Sequence, residues 1–155
     1  MPAQPVPQGY NTLSVFLAVE DASEAIDFYT RALGARERMR MPGPEGKIAH
    51  VELEIGDSII MLADPFPQSS AQPPKQLGGT SAVLFLYVED VDAFVQRAVD
   101  AGATLSMPVD DMFWGDRFGQ ISDPFGHQWQ VATHKEDVPP DEMAERAKKA
   151  MAAMG

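Results

Sequence analysis

The sequence predicts an α+β fold built from two βαβββ modules. A pseudo-twofold axis would relate them, a curved mixed sheet would wrap a cleft, and a helix would close the chain. Three observations carry this expectation. Phe16-Leu17-Ala18-Val19-Glu20-Asp21 returns 69 residues later as Phe85-Leu86-Tyr87-Val88-Glu89-Asp90. Each copy leads into a segment of helical period that stops at a glycine, Gly34 or Gly102. Each helix then precedes three strand-like runs separated by turn residues.

In the first copy the helix is marked by Ala25, Ile26, Phe28, Tyr29 and Leu33, with Asp21 at the N-cap and Glu24 three residues on. A short acceptor side chain at that point satisfies backbone N–H groups that have no partner inside the helix. Strands are expected over 35–41, 47–55 and 58–64, the last two joined by the Gly56-Asp57 hairpin turn. In the second copy the helix is marked by Val91, Phe94, Val95, Ala98 and Val99 after the N-cap Asp90. Strands follow over 104–109, 116–122 and 127–134, with Asp123-Pro124-Phe125-Gly126 as the turn. The chain thus divides into an N-terminal arm (1–9, expected to be flexible), a first module (10–64) and a Pro/Gln/Ser/Gly linker (65–80). A second module (81–134) and a helical tail (135–155) complete it. That tail starts at Pro139-Pro140 and places Met143, Ala147, Met151 and Met154 on one stripe, expected to dock on a neighbouring surface.

The 155 residues include no cysteine, which excludes disulfide and thiolate chemistry. The net charge is −11, and most of the acidic residues precede residue 135. A negative field of that kind disfavours nucleic acid and anionic lipid and favours cationic ligands. No apolar run approaches the ~20 residues that span a membrane, and residues 1–9 do not read as a signal peptide, so a cytoplasmic address is expected. Neither a phosphate loop nor a Ser-His-Asp order is present.

Three segments then resemble a known family. Val19-Glu20-Asp21 with Ala25-Ile26-Asp27-Phe28-Tyr29 and Leu33-Gly34 resembles the opening of vicinal-oxygen-chelate (glyoxalase/bleomycin-resistance/dioxygenase) domains. Met112-Phe113-Trp114-Gly115-Asp116-Arg117-Phe118-Gly119, with Asp123-Pro124-Phe125-Gly126-His127-Gln128-Trp129, resembles its phosphonate-operon or demethylubiquinone-methyltransferase-like branch. The closing Ala132-Thr133-His134-Lys135-Glu136-Asp137-Val138 is similar to that branch too. The resemblance implies paired modules, a homodimer and, in many members, a divalent metal held by the first and last strands of each module. The corresponding positions here are Ser14, Val83, Met61 and Gln130. Valine cannot ligate, a thioether is too soft for a hard dication, and one amide oxygen is far short of the about six donors needed. No metal or other cofactor is therefore expected.

The leading expectation is a metal-free protein that sequesters a small aromatic or cationic molecule. Its cleft would be lined by Ser14, Phe16, Met61, Phe85, Tyr87, Phe113, Trp114, Arg117 and Gln130. Phe113 and Trp114 would stack on a flat ligand and Arg117 would hold an anionic group, unless the segment is a lid or dimer contact with an internal Asp116–Arg117 pair. The alternative is an isomerase, lyase or dioxygenase of the same superfamily. In it His50 would act as a general base oriented by Glu52, with or without a metal. Alternation in His50-Val51-Glu52-Leu53-Glu54-Ile55 puts the three polar residues on one face, which lines either a cleft or solvent. A domain with a filled cleft and a purely structural or regulatory role is the third possibility. Gln130 is expected to face the cleft and Trp129 the core.

Overall fold

A computed structural model describes residues 2–155. Strand β1 (Val15–Ala18) runs into helix α1 (Ala22–Leu33), followed by β2 (Arg36–Pro42), a short 3-10 turn, β3 (Ile48–Ile55) and β4 (Ser58–Ala63). The linker carries one helical turn, α2 (Pro74–Leu77), that the sequence reading does not include. The second module repeats the order as β5 (Val83–Tyr87), α3 (Val91–Asp100), β6 (Thr104–Asp111), β7 (Asp116–Ser122) and β8 (Gln128–His134). Helix α4 (Pro140–Met154) ends the chain. The expected strands lie within one or two residues of these bounds.

Both helices begin as the sequence predicts. Asp21 accepts a hydrogen bond from the Glu24 amide at 3.0 Å, and Asp90 from the Ala93 amide at 3.1 Å. Each therefore satisfies one of the N–H groups left over in the first turn. Gly34 closes α1 in the left-handed region at φ 67°. Helix α3 ends one residue earlier relative to its glycine, with Ala101 still right-handed and Gly102 at φ 124°.

The mixed surface consists of two four-stranded ladders, β1-β4-β3-β2 and β5-β8-β7-β6. In each, the first strand runs parallel to the last, and the other pairings are antiparallel. One face of each sheet is packed under its helix. Leu17, Val51, Leu53 and Leu62 in the first sheet, and Ile121, Trp129 and Val131 in the second, are buried there. Both outer strands carry register shifts, between Glu37 and Met39 in β2 and between Met107 and Asp110 in β6. Pro108 sits in the second shift, where an edge strand tolerates a missing N–H.

The modules join through the helix layer and one turn. The Arg97 guanidinium of α3 donates to the Arg31 carbonyl of α1 at 2.7 Å. The turn between β7 and β8 reaches into the first module: the Tyr29 hydroxyl donates to Asp123 at 2.5 Å, and the Phe125 ring packs against Phe28 and Tyr29. Asp123 also accepts the Trp129 indole N–H at 2.9 Å and the amides of Phe125 and His127. His127 Nε2 lies 2.8 Å from the Ala18 carbonyl, on the first module's edge strand. Of the methionine stripe on α4, Met151 and Met154 stand exposed, so this chain does not cover its outer half.

Candidate functional site

The faces turned away from the helices are where the expected site residues gather. Directly paired residues on adjacent strands share a face, so the register defines a row of neighbours across each sheet. In the first module that row is Phe16–Met61–Glu52–Met39. In the second it is Phe85–Gln130–Gln120–Met107. The two rows are pseudo-symmetry mates, and five of their eight residues are aromatic or methionine. Phe16, Phe85 and Tyr87 are 50%, 44% and 64% exposed, unusually open for large apolar side chains arrayed on two sheet faces.

The face in the first module carries a carboxylate. Glu52 is only 7% exposed and accepts the Tyr10 hydroxyl at 2.6 Å. His50 lies on the same face, packed on Phe16 with ring centroids 6.2 Å apart. The expected orientation of His50 by Glu52 is not what the bonding shows: the partner of the carboxylate comes from the N-terminal arm. Burial, then the hydrogen bond to Glu52, pushes the Tyr10 hydroxyl above the ordinary phenol range and keeps it protonated. Val51, Leu53 and Ile55 point into the core, so the alternation along β3 is as the sequence predicts.

The face in the second module is an aromatic cluster. Phe85 lies 5.0 Å from Tyr87 and 5.9 Å from Phe118, and Trp114 lies 5.1 Å from Phe113 and 5.9 Å from Phe118. Gln130 donates to Gln120 at 3.1 Å, a polar pair at the centre of the row. At the first residue of β7, Asp116, 3% exposed, accepts from the Tyr87 hydroxyl at 2.9 Å and the Trp114 indole at 3.1 Å. His134 Nδ1 lies 2.7 Å from Asp116, and its Nε2 lies 2.7 Å from Asp137. Burial alone would raise the Asp116 carboxyl, but the hydrogen bonds from His134, Tyr87 and Trp114 outweigh it and hold the group below the usual range. Asp137 first, and Asp116 second, raise the His134 imidazole above its ordinary value.

Arg117 is placed apart from this cluster. Its neighbours Asp116 and Phe118 contact Tyr87 and Phe85 in the aromatic cluster, whereas Arg117 donates to Asp92 at the start of α3 and to Asp111. An internal Asp116–Arg117 pair does not form. Between the facing edges of β1 and β5 runs a cavity of about 580 Å³, lined by Ser14, Phe16, Val83 and Phe85 among others. The Ser14 hydroxyl is buried there without a hydrogen-bond partner.

The four positions at which the family resemblance implies metal ligands remain Ser14, Val83, Met61 and Gln130, and Gln130 already bonds Gln120. Among the described residues no three of His, Asp and Glu converge as a metal-holding group. The donor set does not fit a hard dication. Tyr10, Met39, Met107, Phe118 and Gln120 neighbour these residues, and the sequence reading does not include them among site residues. For Phe118 and Gln120 the alternation along β7 was an available signal; for Tyr10 there was none.

This arrangement defines the class. A family model for the Glyoxalase/Bleomycin resistance protein/Dioxygenase superfamily matches residues 12–131, and the chain belongs to that superfamily. An uncharacterized protein of Mycobacterium bovis, Mb0911c, is 46% identical over 134 residues, covering 84% of this chain and 88% of its own. Among solved structures, TioX from Micromonospora sp. ML1 superposes with a TM-score of 0.63 at 30% identity, over 80% of this chain and 98% of TioX. A PhnB protein from Bacillus cereus, described as a putative 3-demethylubiquinone-9 3-methyltransferase, shares the fold at TM-score 0.61 and 20% identity. That match covers 79% of this chain and 99% of the other.

Proposed function

We propose that this protein binds a small, flat, cationic molecule on its open sheet faces and does so without a metal ion. One observation carries the reading. Exposed aromatic side chains (Phe16, Phe85, Tyr87) share those faces with buried carboxylates, Glu52 and Asp116. Aromatic faces attract cations, and a desolvated carboxylate strengthens that attraction. The net charge of −11 adds a field of the same sign. A second copy of the chain laid on the open faces would enclose the ligand, so the working form is a homodimer.

The test is titration calorimetry against matched planar dyes that are cationic, neutral or anionic. Cationic dyes bind best, and Phe85→Ala weakens them by about tenfold, equivalent to about 1.4 kcal/mol. Absence of binding by every cationic dye overturns the reading. A second reading, an isomerase or lyase, draws on His50 and Glu52 sharing one face. Turnover of a carbonyl substrate that vanishes in both His50→Gln and Glu52→Gln would establish it.

A further inference from the structure

The N-terminal arm does more than lead into β1. Residues 7–10 form a turn, with the Tyr10 amide donating to the Pro7 carbonyl at 3.1 Å. The turn is held by Arg38, which donates to the Gln8 carbonyl at 2.6 Å and places its guanidinium 5.3 Å from the centre of the Tyr10 ring. Arg38 is the residue left unpaired by the register shift in β2, and such a bulge re-aims a side chain. Gly9 has φ 86°, and a Cβ there would lie 2.7 Å from the Arg38 guanidinium. The left-handed backbone favours glycine, and any larger residue would push the Arg38 side chain aside. Asn11 anchors the arm's far end on the Asp57 carbonyl at 3.0 Å.

The result is a tethered phenol. Its hydroxyl meets a buried carboxylate, and a guanidinium lies close to its ring. We propose that the ligand face of the first module is a site for a phenol, an aromatic ring bearing a hydrogen-bond donor, and that Tyr10 occupies it in cis. The inference rests on the sheet faces being ligand surfaces. It adds the ligand chemistry of this half and the reason that it differs from the other half. Glu52 accepts but cannot donate once ionised, so it selects a donor, and a short charge-assisted bond is stronger than a neutral one. A tethered group acts at an effective concentration on the order of millimolar, so a free phenol must outcompete Tyr10. The arm therefore leaves the second module as the open half until a tighter phenolic ligand displaces it.

The probe is 4-methylphenol, the tyrosine side chain itself, with toluene as the donor-free comparison, titrated by calorimetry. Folding is checked by circular dichroism. Tyr10→Ala binds one 4-methylphenol per chain at least tenfold more tightly than the unaltered protein. It prefers 4-methylphenol over toluene by roughly three- to tenfold, and Tyr10→Ala combined with Glu52→Leu loses that preference. Tyr10→Phe keeps the ring without the donor and binds 4-methylphenol more tightly than the unaltered protein, though less tightly than Tyr10→Ala. Equal binding by the unaltered protein and a folded Tyr10→Ala overturns the proposal, as does equal affinity for toluene. Should Tyr10→Ala not fold, equal binding by Tyr10→Phe and the unaltered protein overturns it. A cationic dye that quenches Trp114 in the unaltered protein reports the second module separately. Dye binding without phenol binding rejects only this proposal, whereas absence of both rejects the ligand-face reading as well.

Discussion

The two modules share a backbone plan and differ in chemistry. At the pseudo-equivalent place in the row across the sheet, the first has Glu52 and the second Gln120. Glu52 takes its hydrogen bond from the arm, whereas Gln120 pairs with Gln130 inside the row. The carboxylate of the second module, Asp116, sits at the end of β7 and draws three side-chain donors from its own module. The turns differ as well. Between β3 and β4 two residues suffice, Gly56 and Asp57, and Asp57 stays at the surface. Between β7 and β8 five residues intervene, and Asp123 and Phe125 plug into the first module's helix. A repeated fold therefore fixes where side chains can stand, while each module fills those places independently. Here one module supplies the clamp between halves, and the other supplies the carboxylate that the N-terminal arm bonds.

This contrast can be broken by substitution, beginning with the clamp. Asp123→Ala strands the Tyr29 hydroxyl, the Trp129 indole and two backbone N–H groups, and should cost about 3 kcal/mol or more in urea unfolding. Its surface counterpart Asp57→Ala should change stability by no more than about 0.5 kcal/mol. Comparable costs at the two turns would mean that the clamp assignment is wrong.

The next largest effect concerns the turn glycines. Gly126 has φ 92°, and an added Cβ would meet the Pro74 side chain at 2.9 Å, so Gly126→Ala combines backbone strain with a clash. A loss of about 2–3 kcal/mol is expected by thermal unfolding. At Gly56, φ 58° imposes strain but the space is open, and Gly56→Ala should lose about 1 kcal/mol. A reversed order would show that the linker does not pack on the second turn.

The smallest effect is a pH dependence confined to the second module. The His134 imidazole is raised in the folded protein from an unfolded value near 6.5. Its contribution to stability is therefore fully present below about pH 6.5 and is lost as the pH rises through the raised value. The difference in urea midpoint between the unaltered protein and His134→Gln should be largest near about pH 5.5 and close by about pH 9. A constant difference across that range would mean that the His134 contacts with Asp116 and Asp137 do not depend on its charge.

Most of the backbone plan was legible in the sequence because its causes are local. Asp21 and Asp90 cap helices with their own side chains, Gly34 takes the left-handed turn that its neighbours cannot, and the period of two along β3 divides the core face from the outer face. The 69-residue repeat then fixed which strands correspond, and hence that Phe16, Met61, Phe85 and Gln130 share equivalent faces. What these faces touch depended on contacts between residues far apart in the chain. Tyr10 reaches Glu52 across 42 positions, Tyr29 reaches Asp123 across 94, and His134 reaches Asp116 across 18. No local propensity encodes such pairings, because they arise only when packing brings unrelated surfaces together and burial makes each polar group require a partner. For that reason the sequence determined two modules with inward and outward faces. Only the tertiary structure decided that Arg117 serves α3, that the turn between β7 and β8 locks the halves, and that Glu52 on the first module's outer face is met by Tyr10 of the same chain.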